Sequence, residues 1–282
     1  MSTNPASRIP SPVIAFIGGG NMARSLIGGL IRDGAPAAPI AVSEPNADLR
    51  TALARDFSVA THVDNAAAAR SADVLVLAVK PQVMKMVCAD LREIAQARKP
   101  LIVSIAAGIR IDQLEDWLGG NLAIVRCMPN TPALIGAGAA GIHANARTSA
   151  AQRELAQGIL AGAGLVVWID DETQMDTVTA LSGSGPAYFF LLVEALVDAA
   201  VAQGLPRDAA RELATQTCLG AGRMLREDGA SPAELRRRVT SPNGTTQAAL
   251  ESFAADDFAQ IVARAVATAT RRGGELSAEL DR

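Results

Sequence analysis

The sequence is poor in aromatic residues. They make up only 3% of its 282 residues, although 49% of the residues are hydrophobic, and alanine, leucine and valine dominate the hydrophobic share. This composition favours helices and buried parallel strands over a β-sandwich. A chain of this length is also expected to form one large core and a second, smaller one. The composition therefore predicts an α/β fold with two domains.

Cysteine and histidine are scarce as well. The three cysteines, Cys88, Cys127 and Cys218, lie far apart and form no Cys-x-x-Cys pair, so neither a disulfide framework nor a zinc site is expected. The two histidines, His62 and His143, stand apart from the other candidate catalytic residues. Histidine acid–base chemistry and a metal centre are therefore not expected.

The sequence also lacks a strong excess of either charge. Its formal net charge of -3 leaves no basic surface for a phosphate backbone, so nucleic acid is not an expected partner. The first residues, Met1–Pro12, contain no apolar signal-peptide core and are interpreted as a loose tail. The longest apolar run, Ala187–Val193, is followed by Glu194 and is too short to span a membrane. We expect a soluble, cytoplasmic protein without a membrane partner.

Short apolar runs alternate with helical patterns over the first part of the chain. The first run, Val13–Ile17, ends in glycines and is followed by helical apolar spacing from Met22 to Ile31. Six further strands are predicted at Ile40–Ser43, Ser58–Ala60, Val74–Val79, Leu101–Ile105, Ile124–Cys127 and Leu165–Ile169. The alternation predicts a Rossmann-type, mostly parallel sheet with right-handed crossovers.

The pattern changes after Asp171, where strand-like runs end and alanine- and leucine-rich helical patterns continue to the end of the chain. Six helices are predicted there, at Thr173–Leu181, Ala187–Gln203, Arg207–Arg226, Ser231–Val239, Thr246–Ala254 and Phe258–Leu276. We therefore predict a sheet domain over residues 1–171 and an all-α domain over residues 172–282.

A glycine-rich loop joins the first strand to the first helix. Gly18 allows a tight turn, Gly20 allows the backbone to approach a pyrophosphate, and Ala23 keeps the helix close to the strand. The helix amino terminus adds free N–H groups and a positive dipole end. A purely structural turn is the alternative, but the position between strand and helix favours a dinucleotide. The candidate phosphate-binding residues are Gly18, Gly19, Gly20, Asn21 and Met22.

The end of the second strand bears on which dinucleotide is bound. Glu44 stands where an acidic residue takes the ribose 2′-hydroxyl of NAD, and it would repel the 2′-phosphate of NADP. Ser43 and Asn46, however, could form hydrogen bonds with that phosphate. Glu44 could also be a solvated turn residue with no part in binding. Ser43 and Glu44 are candidate cofactor residues, and the choice of coenzyme stays open on these residues alone.

Two further loops follow predicted strands, and ligands of open α/β sheets bind outside the carboxyl ends of strands. Lys80 follows the fourth strand, where it either faces the cofactor or is an ordinary surface lysine. The loop Met128-Pro129-Asn130-Thr131-Pro132 is stiffened by two prolines. Its Asn130 and Thr131 suit a nicotinamide carboxamide, although a plain turn is the alternative.

Two clusters of small and hydroxyl residues lie in the helical half. Leu181–Tyr188 could receive either a ligand or another helix. Val239–Thr246 forms a hydroxyl-rich turn before a helix, where Ser241, Thr245 and Thr246 with free N–H groups suit a carboxylate. A well-capped helix would use the same residue types. Reduction of a protonated C=N bond needs neither histidine nor metal, which agrees with the sparse polar residues of this chain.

Together these motifs resemble those of the pyrroline-5-carboxylate reductase family over the length of the chain. The segments that carry the resemblance are Phe16–Met22, Ala78–Pro81, Ser104–Gly108, Met128–Pro132, Ser182–Tyr188 and Val239–Thr246. The last segment is the most specific for the family. It has Asn243-Gly244 where members often have Gly-Gly, which requires Asn243 to adopt the same turn.

The resemblance implies a Rossmann domain followed by an all-α dimerisation domain, with a homodimer unit or a larger homo-oligomer. It implies hydride transfer from NAD(P)H to the C=N carbon of 1-pyrroline-5-carboxylate, which gives L-proline in the last step of proline biosynthesis. NADP(H) is the first expectation and NAD(H) the second. Further cofactor residues implied are Ala78, Val79, Lys80, Pro81, Ala106, Met128, Asn130 and Thr131.

For the substrate, the resemblance implies that Ser241 and the backbone of Asn243, Gly244, Thr245 and Thr246 hold the carboxylate. The Thr246 hydroxyl would contact the ring nitrogen and is the candidate catalytic group. A β-hydroxyacid dehydrogenase is one alternative, but that class expects a lysine that Thr173–Pro186 lacks. A non-catalytic dinucleotide-sensing paralogue is the other.

Overall fold

The computed structural model describes residues 12–37 and 39–280. The tail predicted at Met1–Pro12 thus lies outside the described residues except for Pro12. The chain divides into two compact units. The first, which we call the sheet unit, comprises Met1–Gly183 and Thr270–Arg282, and the second, the helical unit, comprises Ser184–Ala269.

The sheet unit contains one eight-stranded sheet in the order β3-β2-β1-β4-β5-β6-β7-β8. Its strands are β1 Ile14–Ile17, β2 Ile40–Ser43, β3 Ala60–His62, β4 Val74–Leu77, β5 Leu101–Ser104, β6 Ile124–Met128, β7 Gly138–Ala144 and β8 Gly164–Trp168. Neighbouring strands are parallel, apart from the antiparallel pair β6 and β7. The predicted mostly parallel, Rossmann-type sheet is confirmed.

The sequence patterns missed β7 and misplaced β3. β7 reads Gly-Ala-Ala-Gly-Ile-His-Ala, in which Ile142 is the one β-branched residue and no phenylalanine, tyrosine or tryptophan is present, although such residues mark most strands. Close packing explains one of its glycines, since a Cβ on Gly138 would lie 2.7 Å from the Ala163 carbonyl oxygen. The prediction of β3 at Ser58–Ala60 is wrong, because Ser58 ends the preceding helix in a left-handed conformation with φ 56°.

Helices cover both faces of the sheet. They are α1 Asn21–Arg32, α2 Ala47–Phe57, α3 Asn65–Ala69, α4 Pro81–Arg98, α5 Ile111–Leu118 and α6 Ala150–Ala161. Successive residues of each strand point to opposite faces, so Phe16 packs in one hydrophobic core and Ile17 in the other. The two cores explain why the strands are apolar throughout rather than alternating.

The segment before the helical unit departs from the predicted single helix Thr173–Leu181. A 3₁₀ turn, Glu172–Gln174, leads into the short helix α7, Met175–Val178, and then into a π-helix, Thr179–Gly183. π-helical turns are rare and often lie at functional sites.

The helical unit is formed by α8 Gly185–Ala202, α9 Arg207–Glu227, α10 Pro232–Arg238, α11 Thr245–Ala255 and most of α12, Phe258–Glu279. The five predicted helices of this region are confirmed, with boundaries that differ by no more than three residues. α8 carries large exposed apolar side chains, including Phe189, Phe190 and Leu191.

By length and composition, the helical stretch Glu172–Ala202 is apolar enough to cross a membrane, and little of it is buried. The expectation from the short run Ala187–Val193 therefore does not extend to the whole helical stretch that contains it, which is long enough to span a membrane. An exposed apolar helix of this kind equally suits an interface between two copies of a chain.

Candidate functional site

The glycine loop lies at the carboxyl end of β1, between the ends of β2 and β4. Gly18 has φ +99°, and a Cβ there would lie 2.7 Å from the Ala78 carbonyl oxygen. A Cβ on Gly19 would lie 2.6 Å from Leu53 Cδ1, whereas a Cβ on Gly20 would meet no described atom within 4 Å. Packing thus requires the first two glycines, and the third has open space above it.

The amino terminus of α1 faces this open space. Gly20 is its N-cap, and among the described residues no side chain caps the first N–H groups. Asn21 and Met22 are the first two residues of the helix, so their N–H groups are unpaired donors at the positive end of the helix dipole. These groups fit the pyrophosphate of a dinucleotide.

Glu44 is buried, with 9% of its surface exposed. Its Oε2 accepts a hydrogen bond from the Gly19 N–H at 2.9 Å, and its Oε1 accepts one from the Asn46 N–H at 2.9 Å. The interpretation of Glu44 as a solvated turn residue is therefore wrong. Its carboxylate ties the glycine loop to the turn after β2.

Ser43 is buried, and its hydroxyl donates to Asn65 Oδ1 at 2.6 Å. Asn65, the first residue of α3, was missed in the sequence. The signal that could have found it is Asp64, which caps the run of alanines that begins after Asn65. Asn46 uses its Oδ1 to cap α2 through the N–H groups of Asp48 and Leu49. The edge of the candidate coenzyme site is thus built mainly by internal hydrogen bonds.

The segment Ala78–Pro81 lies beside the glycine loop, since the Ala78 N–H donates to the Ile17 carbonyl at 2.8 Å. Ala78 and Val79 are half-buried, and Lys80 is exposed as the N-cap of α4, with Pro81 as the first helical residue. The strand order reverses between β1 and β4, which is where ligands of open α/β sheets bind. The structure therefore brings these residues together with Gly18–Met22.

Ala106 is 5% exposed and packs in the core with Leu280 near the end of α12. Gly108, with φ +77°, faces Leu280 and Ser277, and a Cβ there would lie 3.4 Å from Leu280 Cδ1. The methyl group of Ala106 is thus used in the core, which leaves mainly its backbone for a ligand.

Met128 is the last residue of β6, and Asn130 and Thr131 follow in the loop after it. Asn130 Nδ2 donates to the Ser182 carbonyl at 3.0 Å, and its Oδ1 accepts from the Ala139 N–H at 2.8 Å. A Cβ on Gly183 would clash with Met128 Cε. Thr131 is exposed and begins the 3₁₀ turn Thr131–Ile135. Here both kinds of polar atom of Asn130 serve the fold.

In the helical unit, the predicted carboxylate site is the amino terminus of α11. Gly244 is its N-cap, and no side chain in the described part of the chain caps its first N–H groups. Asn243 has φ 57°, the left-handed conformation that a Gly-Gly turn would need. Its own N–H donates to Gln247 Oε1 at 2.9 Å. The alternative of a side-chain-capped helix is therefore not what the structure shows.

The hydroxyl side chains of this turn are accessible. Ser241 and Thr245 are exposed, and Thr246 is half-buried. A Cβ on Gly244 would lie 3.1 Å from the Ser241 carbonyl oxygen, and the Gly244 N–H donates to that oxygen. Three hydroxyls beside an uncapped helix amino terminus are a combination typical of sites that bind a carboxylate.

Two of the three thiols are buried, those of Cys88 and Cys127. Burial raises the pKa of the Cys88 thiol to about 12 and the pKa of the Cys127 thiol still further, so both stay protonated at neutral pH. No group of three or more histidine, cysteine or acidic side chains within residues 12–37 and 39–280 could hold a metal ion.

Two family models match the chain. Residues 13–108 match a family described as NADP oxidoreductase, coenzyme F420-dependent, and residues 172–276 match one described as pyrroline-5-carboxylate reductase dimerisation. Among solved structures, a pyrroline-5-carboxylate reductase from Coxiella burnetii has 43% identity and a TM-score of 0.92, covering 95% of this chain and 99% of that one. The Plasmodium falciparum pyrroline carboxylate reductase with NADP bound has 28% identity and a TM-score of 0.81, covering 95% and 98%.

Curated relatives agree over nearly the whole length. The pyrroline-5-carboxylate reductase of Pisum sativum is 38% identical over 268 residues, which cover 95% of this chain and 97% of that protein. The pyrroline-5-carboxylate reductase of Pseudomonas aeruginosa is 54% identical over 272 residues, 96% and 98% of the two chains. Identity at this level and over this length shows that the chain belongs to the pyrroline-5-carboxylate reductase family.

Proposed function

We propose that the chain reduces 1-pyrroline-5-carboxylate with NAD(P)H to L-proline, the last step of proline biosynthesis. Family membership confirms this predicted activity and its class, an oxidoreductase that acts on a C=N bond. The structural observation that supports it best is the uncapped amino terminus of α11 surrounded by hydroxyl groups. A carboxylate is the substrate group that such a site would hold.

The coenzyme site is proposed at the carboxyl edge of the sheet. The N–H groups of Asn21 and Met22 and the open space at Gly20 would hold the pyrophosphate, with Gly18 and Gly19 shaping the turn. The loops Ala78–Pro81 and Met128–Thr131 and the backbone of Ala106 would border the rest of the molecule. When bound, the reduced nicotinamide supplies the hydride. NADP(H) remains the first expectation and NAD(H) the second.

The substrate site is proposed at the turn before α11. The N–H groups of Thr245 and Thr246 and the Ser241 hydroxyl would hold the carboxylate, which the positive end of the helix dipole stabilises. The expectation that the N–H groups of Asn243 and Gly244 take part is not supported, because they already donate to Gln247 Oε1 and the Ser241 carbonyl. The Thr246 hydroxyl would form a hydrogen bond at the ring nitrogen. The protonated imine already carries a positive charge and accepts hydride readily. The protein therefore needs to supply only this one polar contact and the correct orientation of substrate and coenzyme.

An absorbance assay tests the activity directly. Purified protein with NADPH or NADH should lose nicotinamide absorbance when 1-pyrroline-5-carboxylate is added, and the ratio of the two rates gives the coenzyme preference. Absence of turnover with either coenzyme would refute the proposal, and coenzyme binding without turnover would instead favour the non-catalytic paralogue.

Replacing Thr246 by alanine tests its catalytic role. We expect kcat to fall about 100-fold, the usual cost of losing one preorganised hydrogen bond at the reacting group, while the Kd of NAD(P)H is unchanged. The matched control is Thr215→Ala, at an exposed threonine of α9. Unchanged kcat in the Thr246 variant would remove this residue from the mechanism.

The family's dimerisation model supports a homo-oligomer and a small-molecule substrate for this chain. A homodimer unit is the minimal assembly that we propose, and a larger oligomer built from such units is compatible with it. A cytoplasmic location without nucleic-acid or membrane partners remains a prediction from composition. Fractionation of cells into membrane and soluble parts would test the location.

A further inference from the structure

The side chain of Asn130 joins three segments of the sheet unit. It lies in the loop between β6 and β7, donates from Nδ2 to the Ser182 carbonyl at 3.0 Å, and accepts at Oδ1 from the Ala139 N–H at 2.8 Å. Ala139 is the second residue of β7, and Ser182 belongs to the π-helix. One amide thus connects the loop, the start of a strand and the end of a helix.

The Ser182 carbonyl needs this donor for a reason that the sequence supplies. In a continuing α-helix its partner would be the N–H of the residue four positions later. That residue is Pro186, which has no N–H. The next N–H, that of Ala187, donates to the Ser184 carbonyl instead. Asn130 Nδ2 therefore supplies a hydrogen bond that the helix itself lacks.

We infer that Asn130 is a positioning residue for the proposed reaction rather than a direct contact of the nicotinamide carboxamide. It fixes the loop Met128–Thr131 against the π-helix, and the contact of Met128 with Gly183 lies beside the same junction. This inference rests on the proposed function, because it is this loop that would border the nicotinamide. Loss of the link lets the loop shift while the phosphate-binding residues stay in place.

The site demands an asparagine specifically. One face of the side chain must donate to a carbonyl and the other must accept from an N–H. An aspartate would keep the acceptor but direct a second oxygen at the Ser182 carbonyl. A glutamine would keep both groups but place them one methylene farther from the backbone.

The test compares Asn130→Asp with Asn121→Asp, which changes an exposed asparagine in the loop that precedes β6. Coenzyme-binding sites are counted by NAD(P)H fluorescence, and kcat is expressed per binding site. We expect N130D to lower kcat per site by about 10- to 100-fold, since small misplacements at a reacting centre cost that much. The coenzyme Kd should change less than about threefold, and N121D should match the wild type.

A purely structural role would reduce the number of binding sites and leave kcat per site unchanged, and that result would overturn the inference. Wild-type turnover reports the proposed function separately, so its absence would refute the function whatever N130D does. If N130D does not fold, Asn130→Gln takes its place with the same expectation.

A second variant probes the missing N–H directly. Pro186→Ala restores a backbone donor at the position that an α-helix would use for the Ser182 carbonyl. In the double variant N130D/P186A, kcat per site should recover at least threefold over N130D alone. Strictly additive effects of the two substitutions would contradict the proposed link.

Discussion

At the scale of single residues, the structure changes the meaning of Glu44. The sequence presented it as a reader of the ribose or a solvated turn residue. Its carboxylate instead accepts two backbone hydrogen bonds, one of them from Gly19 in the glycine loop. A further pair, Ser43 and Asn65, lies next to it. The acidic residue therefore shapes the phosphate loop whether or not it also contacts a ribose.

This gives a prediction for Glu44→Ala. Because the buried Gly19 N–H and the partly exposed Asn46 N–H lose their acceptor, the free energy of unfolding should fall by about 1–3 kcal/mol, and KM should rise for NADPH and NADH alike. Denaturant unfolding and coenzyme titrations measure the two effects, with Glu93→Ala on exposed α4 surface as the control. A lower KM for NADPH, with no such improvement for NADH, would show instead that Glu44 contacts the ribose.

At the scale of elements, different glycines of the glycine loop serve packing and ligand binding. A Cβ on Gly18 or Gly19 would clash with neighbouring atoms of the chain, whereas no described atom lies within 4 Å of a Cβ built on Gly20. The loop therefore contains both a structural requirement and a free approach for a ligand. Substitutions at the different glycines should have different consequences.

For Gly20→Ala we expect stability within about 1 kcal/mol of the wild type, since the position is an N-cap with φ -69°. KM for the coenzyme should nevertheless rise about tenfold or more, because the methyl group occupies the space of the pyrophosphate. Gly18→Ala should instead lose about 1–3 kcal/mol of stability, owing to its φ of +99°. Equal coenzyme KM in G20A and wild type would place the phosphates elsewhere.

The contact between α1 and α2 has a pH dependence of known sign. Hydrogen bonds from Arg55 and Arg24 lower the pKa of the Asp56 carboxyl from 3.8 to about 2. A lowered pKa means that the stabilisation is present above pH 3.8 and is lost as the pH falls towards 2. Asp56→Asn should therefore have a lower Tm than the wild type at pH 7, and the difference should shrink as the pH falls from 3.8 towards 2. A difference that is as large at pH 2 as at pH 7 would show a cause other than charge.

At the scale of the whole molecule, the exposed apolar helices are the feature that a single chain leaves unexplained. Phe190 on α8 is 68% exposed, and the helical unit that carries it matches the family's dimerisation model. Contiguous apolar surface of this kind marks an interface. The predicted dimerisation domain thus has a physical basis in the exposed residues themselves.

Phe190→Glu should therefore shift the protein from the homo-oligomer towards the monomer, because a carboxylate would be buried in the interface. Light scattering coupled to size exclusion measures the mass. The control is Met86→Glu, which places the same charge at a residue of the sheet unit that is 62% exposed. An unchanged oligomer in F190E would mean that this part of α8 lies outside the interface.

The division between the two units shows where sequence patterns stop being informative. We predicted a boundary after Asp171, where the helical pattern begins, and that functional division remains a prediction. In the structure, the compact sheet unit instead extends to Gly183 and also includes the last turns of α12, from Thr270 onwards. Local patterns cannot show this, because contacts such as that of Gly108 with Leu280 join residues far apart in sequence.

The sequence by itself determined the parallel sheet, the glycine loop and the hydroxyl-rich turn, because each depends on local residue order and helix or strand periodicity. Its motifs also predicted the family, which the relatives confirm. Only the tertiary structure showed β7, the buried carboxylate of Glu44, and Asn130 as the donor for the Ser182 carbonyl. Each of these depends on hydrogen bonds or close packing between distant segments, and such partners exist only once the chain has folded.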